Sequence, residues 1–170
     1  FRRVLFRSIT VKKLVFLSPF YLSTYLSTKS TQIFKKYKIF LVKKLKILDL
    51  KLANKKIFIN RKESRQVSNL VNFKDTIKFK ETFFSSNESI KSQSDKIQKA
   101  SIIIGLHGAG LTNILFSNKR SKIIELLPEY YPSSVFERLS KALELSYKNI
   151  ILKKNHFNRT MITERDIKKI

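Results

Sequence analysis

Apolar and polar positions follow two different periods along this chain. From Gln32 to Leu50, Ile33, Tyr37, Phe40, Leu41 and Leu48 recur at helical spacing around Lys44, with lysines on the opposite, solvated side. Ser30 or Thr31 stands where a cap is needed. Elsewhere, short runs rich in β-branched residues predict five strands, at Lys56–Asn60, Ile77–Phe84, Ser101–Leu106, Lys122–Leu127 and Tyr147–Leu152. Pro128 ends the fourth. Between these runs the pattern predicts a polar helix capped by Ser86 or Asn87 and ending near Lys99, and a helix over Ala109–Ser117. A third helix is opened by a capping box at Ser134-Val135-Phe136-Glu137, with Val135, Leu139, Ala142 and Leu143 on its apolar face. The tail from Lys153 is polar and weakly patterned. Strands alternating with helices predict an α/β fold, a parallel sheet with helices on both faces. In such sheets ligands bind at the carboxyl ends of the strands.

The three glycines of the chain all lie in Gly105-Leu106-His107-Gly108-Ala109-Gly110, between the third strand and the following helix. Glycine is used where backbone takes unusual angles or approaches another group closely. The start of a helix carries unpaired N–H groups that favour an anion. This turn is therefore either a phosphate site or simply a tight strand–helix connection. Arg61 and Arg65 leave the first strand at the same rim, and arginine grips phosphate bidentately. The turn lacks the Gly-Lys-Ser/Thr of a P-loop, and its Gly-x-x-Gly-x-Gly spacing is not the dinucleotide fingerprint.

Composition narrows the picture. The chain has 170 residues, no cysteine and two histidines, which excludes disulfides, thiolate chemistry and a His-cluster metal site. Its net charge of +24 suggests a polyanionic partner. The lysines, however, are spread along the whole chain, and Ile, Asn, Phe and Ser are abundant while Gly, Pro and Trp are scarce. Compositional bias explains the charge better than nucleic-acid binding, and the aromatics form no RNA-binding pattern. An anionic membrane surface stays open as a partner. Leu14–Leu26 leans apolar but is interrupted by Pro19 and hydroxyl residues, and is too short to span a bilayer. Residues 1–8, Phe1 to Ser8, read as an in-frame translation of a sequencing-library adapter. With no initiator Met, the chain reads as a piece of a longer protein.

The block His107-Gly108-Ala109-Gly110-Leu111-Thr112-Asn113 after an apolar strand resembles glycosyltransferase family 61. Ile59-Asn60-Arg61 with Arg65 and Asn69, Ile123–Pro128, Tyr131, and Leu139–Tyr147 resemble further segments of that family in the same order. Asn60 stands where the family has Ser, and Leu70 where Glu follows Asn69. The resemblance implies a GT-B type enzyme whose carboxyl-terminal, Rossmann-like half holds a nucleotide-diphosphate sugar. The corresponding divisions are an adapter-derived 1–8, a lead-in at 9–54, a Rossmann-like donor-binding domain at 55–155 and a tail at 156–170. It implies that Arg61 and Arg65 face the diphosphate. His107, Gly108, Gly110, Leu111, Thr112 and Asn113 would build the donor pocket, and Glu125 would accept from a ribose or sugar hydroxyl. No catalytic base is assigned. Transfer would go to a glycan or protein hydroxyl, with inversion and without a metal cofactor, in agreement with the lack of an Asp-x-Asp motif. The compartment would be the cytoplasm in a bacterium and the secretory lumen in a eukaryote. The alternatives are a basic nucleic-acid-binding module and a catalytically incomplete fragment of the same fold.

Overall fold

The computed structural model describes residues 28–47, 51–60, 76–82, 88–153 and 161–170. Phe1–Ser8, Arg61, Arg65 and Asn69 lie outside them. Five parallel strands form one sheet: β1 Ala53–Ile59, β2 Lys80–Thr82, β3 Ala100–Leu106, β4 Lys122–Pro128 and β5 Ser146–Leu152. Their spatial order is β2-β1-β3-β4-β5, which puts β3 in the middle. The strand predicted over Ile77–Phe84 is shorter than expected, since Thr76 and Ile77 form a helical turn and Lys78 has φ 53°.

The helices are α1 Thr28–Lys44, α2 Ile90–Gln98 and α3 Val135–Ala142, with a short α4 at Glu164–Ile167. The segment Ala109–Phe116 is a 3-10 helix. It begins with the Leu111 amide donating to the Gly108 carbonyl at 2.9 Å, three residues back.

Side chains two residues apart share a face of a strand, and the burial follows that period. Ile57, Ile59, Ile103 and Ile123 meet Ile97, Leu111, Ile114, Phe136 and Leu139 on one face. There α1 adds Phe34, Leu41 and Val42, with Leu45 just beyond it, so the segment placed in the lead-in shares the core of the sheet. Phe58, Ile104, Leu106, Ile124, Leu126, Ile150 and Leu152 form the other face. Among the described residues that second face is covered by Ile77, Phe79 and the C-terminal Ile162, Ile167 and Ile170. The expectation of helices on both faces is therefore met unevenly. The reason is topological: parallel crossovers are right-handed, so the steps from β2 through β5 put their helices on one face, and the reverse step from β1 to β2 leaves Ile77 and Phe79, just before β2, on the other.

Local chemistry corrects three other expectations. Ser89, not Ser86 or Asn87, caps α2, its Oγ accepting from the Ser92 amide at 3.1 Å. Ser134 makes no side-chain cap bond, and the Val135 amide donates instead to Ser133 Oγ at 3.4 Å. The buried face of α3 carries Phe136 with Leu139, Ala142 and Leu143, while Val135 is exposed.

Candidate functional site

The direction of winding reverses between β1 and β3, and the crevice outside their carboxyl ends is where open α/β sheets bind ligands. Ile59, at the end of β1, lies opposite Gly105 on β3. The chain thus leaves β1 through Asn60 beside the turn that carries His107 and Gly108. Arg61 and Arg65 follow Asn60, but their side chains lie outside the described residues.

Gly105 allows the turn to fold back on the sheet. A β-carbon placed there would lie 2.7 Å from Leu111 Cδ2 and 3.1 Å from Leu111 Cγ. Leu111 is fully buried in that space, so its side chain serves the core. Ala109 and Thr112 are exposed at the rim, with Gly108, Gly110 and Asn113 half-buried. Asn113 Nδ2 donates to the Gly110 carbonyl at 3.1 Å, which braces the turn.

His107 continues β3, its amide donating to the Leu126 carbonyl at 3.0 Å. Its ring packs against Tyr131, with centroids 5.0 Å apart, and against the edge of Phe136 at 5.3 Å. Its Nδ1 lies 2.5 Å from Glu125 Oε1. Glu125 sits in β4, opposite Gly105 and with no exposed surface. The second carboxyl oxygen, Oε2, accepts from the Tyr147 hydroxyl. Tyr147 pairs in register with Ile123, so it reaches diagonally across the same face to Glu125. Burial first, and then the Glu125 carboxylate, push the Tyr147 phenol far above its ordinary value, which keeps it a donor.

His107 and Glu125, both singled out from the sequence, are thus brought into contact. Both Glu125 oxygens are engaged by the protein, and the residue has no exposed surface. Sequence reasoning gave no site role to Tyr147, Tyr131 or Phe136. The period of two could have found Tyr147, since His107, Glu125 and Tyr147 all fall on the same face as Ile103 and Ile123. Among the described residues, no three His, Cys, Asp or Glu side chains gather to hold a metal ion. No helix among them is long and apolar enough to cross a membrane.

The comparisons with known proteins agree with the motif. The family model described as Glycosyltransferase 61 matches residues 2–124. A beta-1,2-xylosyltransferase of Arabidopsis thaliana is 35% identical over 77 residues, 45% of this chain and 14% of that protein. Beta-1,2-xylosyltransferase RCN11 of Oryza sativa subsp. japonica is 36% identical over 64 residues, 38% of this chain and 12% of that protein. The aligned part is a small fraction of either relative. With a family match over most of its length, and with the His-Gly-Ala-Gly-Leu-Thr-Asn turn at the switch point of a parallel sheet, this chain belongs to glycosyltransferase family 61.

Proposed function

We propose that this chain forms the nucleotide-sugar-binding half of a GT-B type glycosyltransferase, which moves a sugar from a nucleotide diphosphate to a glycan or protein hydroxyl. The observation that carries this reading is the position of the His107–Asn113 turn, which leaves the central strand beside the end of β1. The family membership and the names of the two relatives support it, and make a nucleotide-activated xylose the first donor to try.

In the proposed reaction the acceptor oxygen attacks the anomeric carbon as the bond to the diphosphate oxygen breaks, with inversion. The acceptor proton passes to a general base. Negative charge grows on the departing diphosphate. Fixed donors aimed at that charge stabilise the transition state more than the ground state. Arg61, Arg65 and the backbone amides of the turn are the candidates, and His107 lines the same pocket. The lack of an Asp-x-Asp motif supports a metal-independent reaction.

The test is calorimetric titration of the chain with uridine diphosphate and guanosine diphosphate. Binding of one of them is expected, and Arg65→Ala is expected to weaken it by about 1–3 kcal/mol, the scale of a charged hydrogen bond. Unchanged affinity in the Arg61→Ala, Arg65→Ala double variant removes the diphosphate role. Salt-sensitive binding to random RNA, with no nucleotide bound, would instead favour a nucleic-acid module.

A further inference from the structure

We infer that Tyr147 is a positioning residue of the donor site: through Glu125 it fixes the imidazole of His107 in one orientation and one protonation pattern. This rests on the donor-site reading given above. The three groups form a chain, from the Tyr147 hydroxyl to Glu125 Oε2 and from Glu125 Oε1 to His107 Nδ1. Each comes from a different strand end or centre: β5, β4 and the residue after β3.

A carboxyl group held by one hydrogen bond can rotate about its last torsion. Held by two, on opposite oxygens, it cannot. Glu125 is therefore locked at both ends, and a locked carboxylate on Nδ1 keeps a proton on that nitrogen. Nε2 is then the acceptor nitrogen of the ring, and it is presented the same way in every molecule. Tyr131 and Phe136 both pack against the ring, so the orientation is set by packing as well as by hydrogen bonds.

A merely structural polar cluster would not need this arrangement. Glu125 has no exposed surface, and a buried carboxylate without strong partners is costly. Apolar residues at 125 and 147 would fill the same space more cheaply. The position of the cluster under the one glycine turn of the chain, which leaves the strand bordering the switch point, gives the cost a purpose. Tyr147 lies near the start of β5, and its hydroxyl donates to Glu125. It acts through its neighbours.

The test uses the full 170-residue chain and two readouts. The first is the nitrogen NMR spectrum of the histidine rings. The chain has two histidines, and a His156→Gln variant assigns the signals. Wild type is expected to show His107 with its proton fixed on Nδ1. Tyr147→Phe, which removes one oxygen and keeps the ring, is expected to move the His107 signals toward a mixture of tautomers. The second readout is the affinity for uridine diphosphate and guanosine diphosphate, which should fall roughly tenfold in Tyr147→Phe, the scale seen when the partner of a functional histidine is lost. Glu125→Gln keeps the volume but offers an acceptor to only one of its two partners. It should reproduce both effects. Tyr37→Phe, on the exposed side of α1, should change neither. Unchanged His107 nitrogens in Tyr147→Phe overturn the inference, whether or not affinity falls. If wild type binds no nucleotide diphosphate, the donor-site reading fails, and the nitrogen spectra still decide whether Tyr147 fixes His107.

Discussion

Gly105 is the residue on which the geometry of the turn depends most directly. The Leu111 side chain occupies the space above its Cα, and Ile59 Cβ would lie 3.4 Å from an added methyl. Leu111 has no exposed surface and so no room to swing away. Gly105→Ala should therefore destabilise the chain by about 1–3 kcal/mol, the usual cost of overpacking, measured by urea denaturation. In a Leu111→Ala background the same substitution should cost less, because the clashing atoms are gone and the two sites are coupled. Equal costs in the two backgrounds would show that the clash is not the cause. The glycine cluster itself was legible in the sequence because this chain uses glycine nowhere else. That the Leu111 side chain packs in the core was not legible, since a motif names residues without saying which way each one faces. His107 and Glu125 were legible singly. Their contact was not, because it joins residues 18 apart through strand register.

At the scale of elements, the same sequence rule failed at one helix and went unused at another. Ser134 and Glu137 have the spacing of a capping box, yet Ser134 sits at φ −108°, ψ 13°, from which its hydroxyl does not bond the next turn. Thr163, at φ −92°, ψ 163°, has the extended backbone that a cap requires. Its Oγ1 accepts from the Asp166 amide at 3.3 Å, and Asp166 Oδ2 accepts from the Thr163 amide at 3.1 Å. The polar tail hid this box because its few apolar residues, Phe157, Met161, Ile162, Ile167 and Ile170, set no clear helical period. Thr163→Ala should cost about 1 kcal/mol in a denaturation experiment. Burial pushes the Asp166 carboxyl up, but bonds from Thr163 and from Lys169 outweigh it and hold it below its ordinary value of 3.8. A carboxyl lowered in the folded state stabilises above its unfolded value, and that contribution is lost as pH falls through the folded one. Wild type should therefore exceed Asp166→Asn in stability at neutral pH. The gap should narrow below about pH 4, the unfolded carboxylate range, and a gap constant down to pH 2 would exclude the ionised carboxylate as its source.

For the molecule as a whole, the sheet has two apolar faces and the chain covers them by different means. Three helices and the 3-10 helix lie over one, as alternation of strands and helices foretold. Among the described residues, the second face depends on Ile77, Phe79 and the last ten residues of the chain. Parallel strand order could be narrowed from sequence by handedness, but not the reversal at β1, since β2 is only three residues long and its pattern is weak. The C-terminal strap is held at its far end by Lys122 Nζ donating to the Ile170 carbonyl at 3.3 Å and by Lys148 Nζ donating to the Lys169 carbonyl at 2.7 Å. Its anchor is Ile162, which is 2% exposed and packs in the same cluster as Ile104, Ile124 and Ile150. Ile162→Ala should destabilise by about 2–5 kcal/mol, as for other buried Ile→Ala changes. Deleting residues 161–170 should do more than remove that one contact. It bares a continuous apolar face, which should bind the dye ANS at neutral pH and promote aggregation. The first face would keep its helices, so far-ultraviolet circular dichroism should lose little signal. A truncated chain that stays monomeric, binds no dye and melts where the full chain does would show that the tail is not what covers the second face.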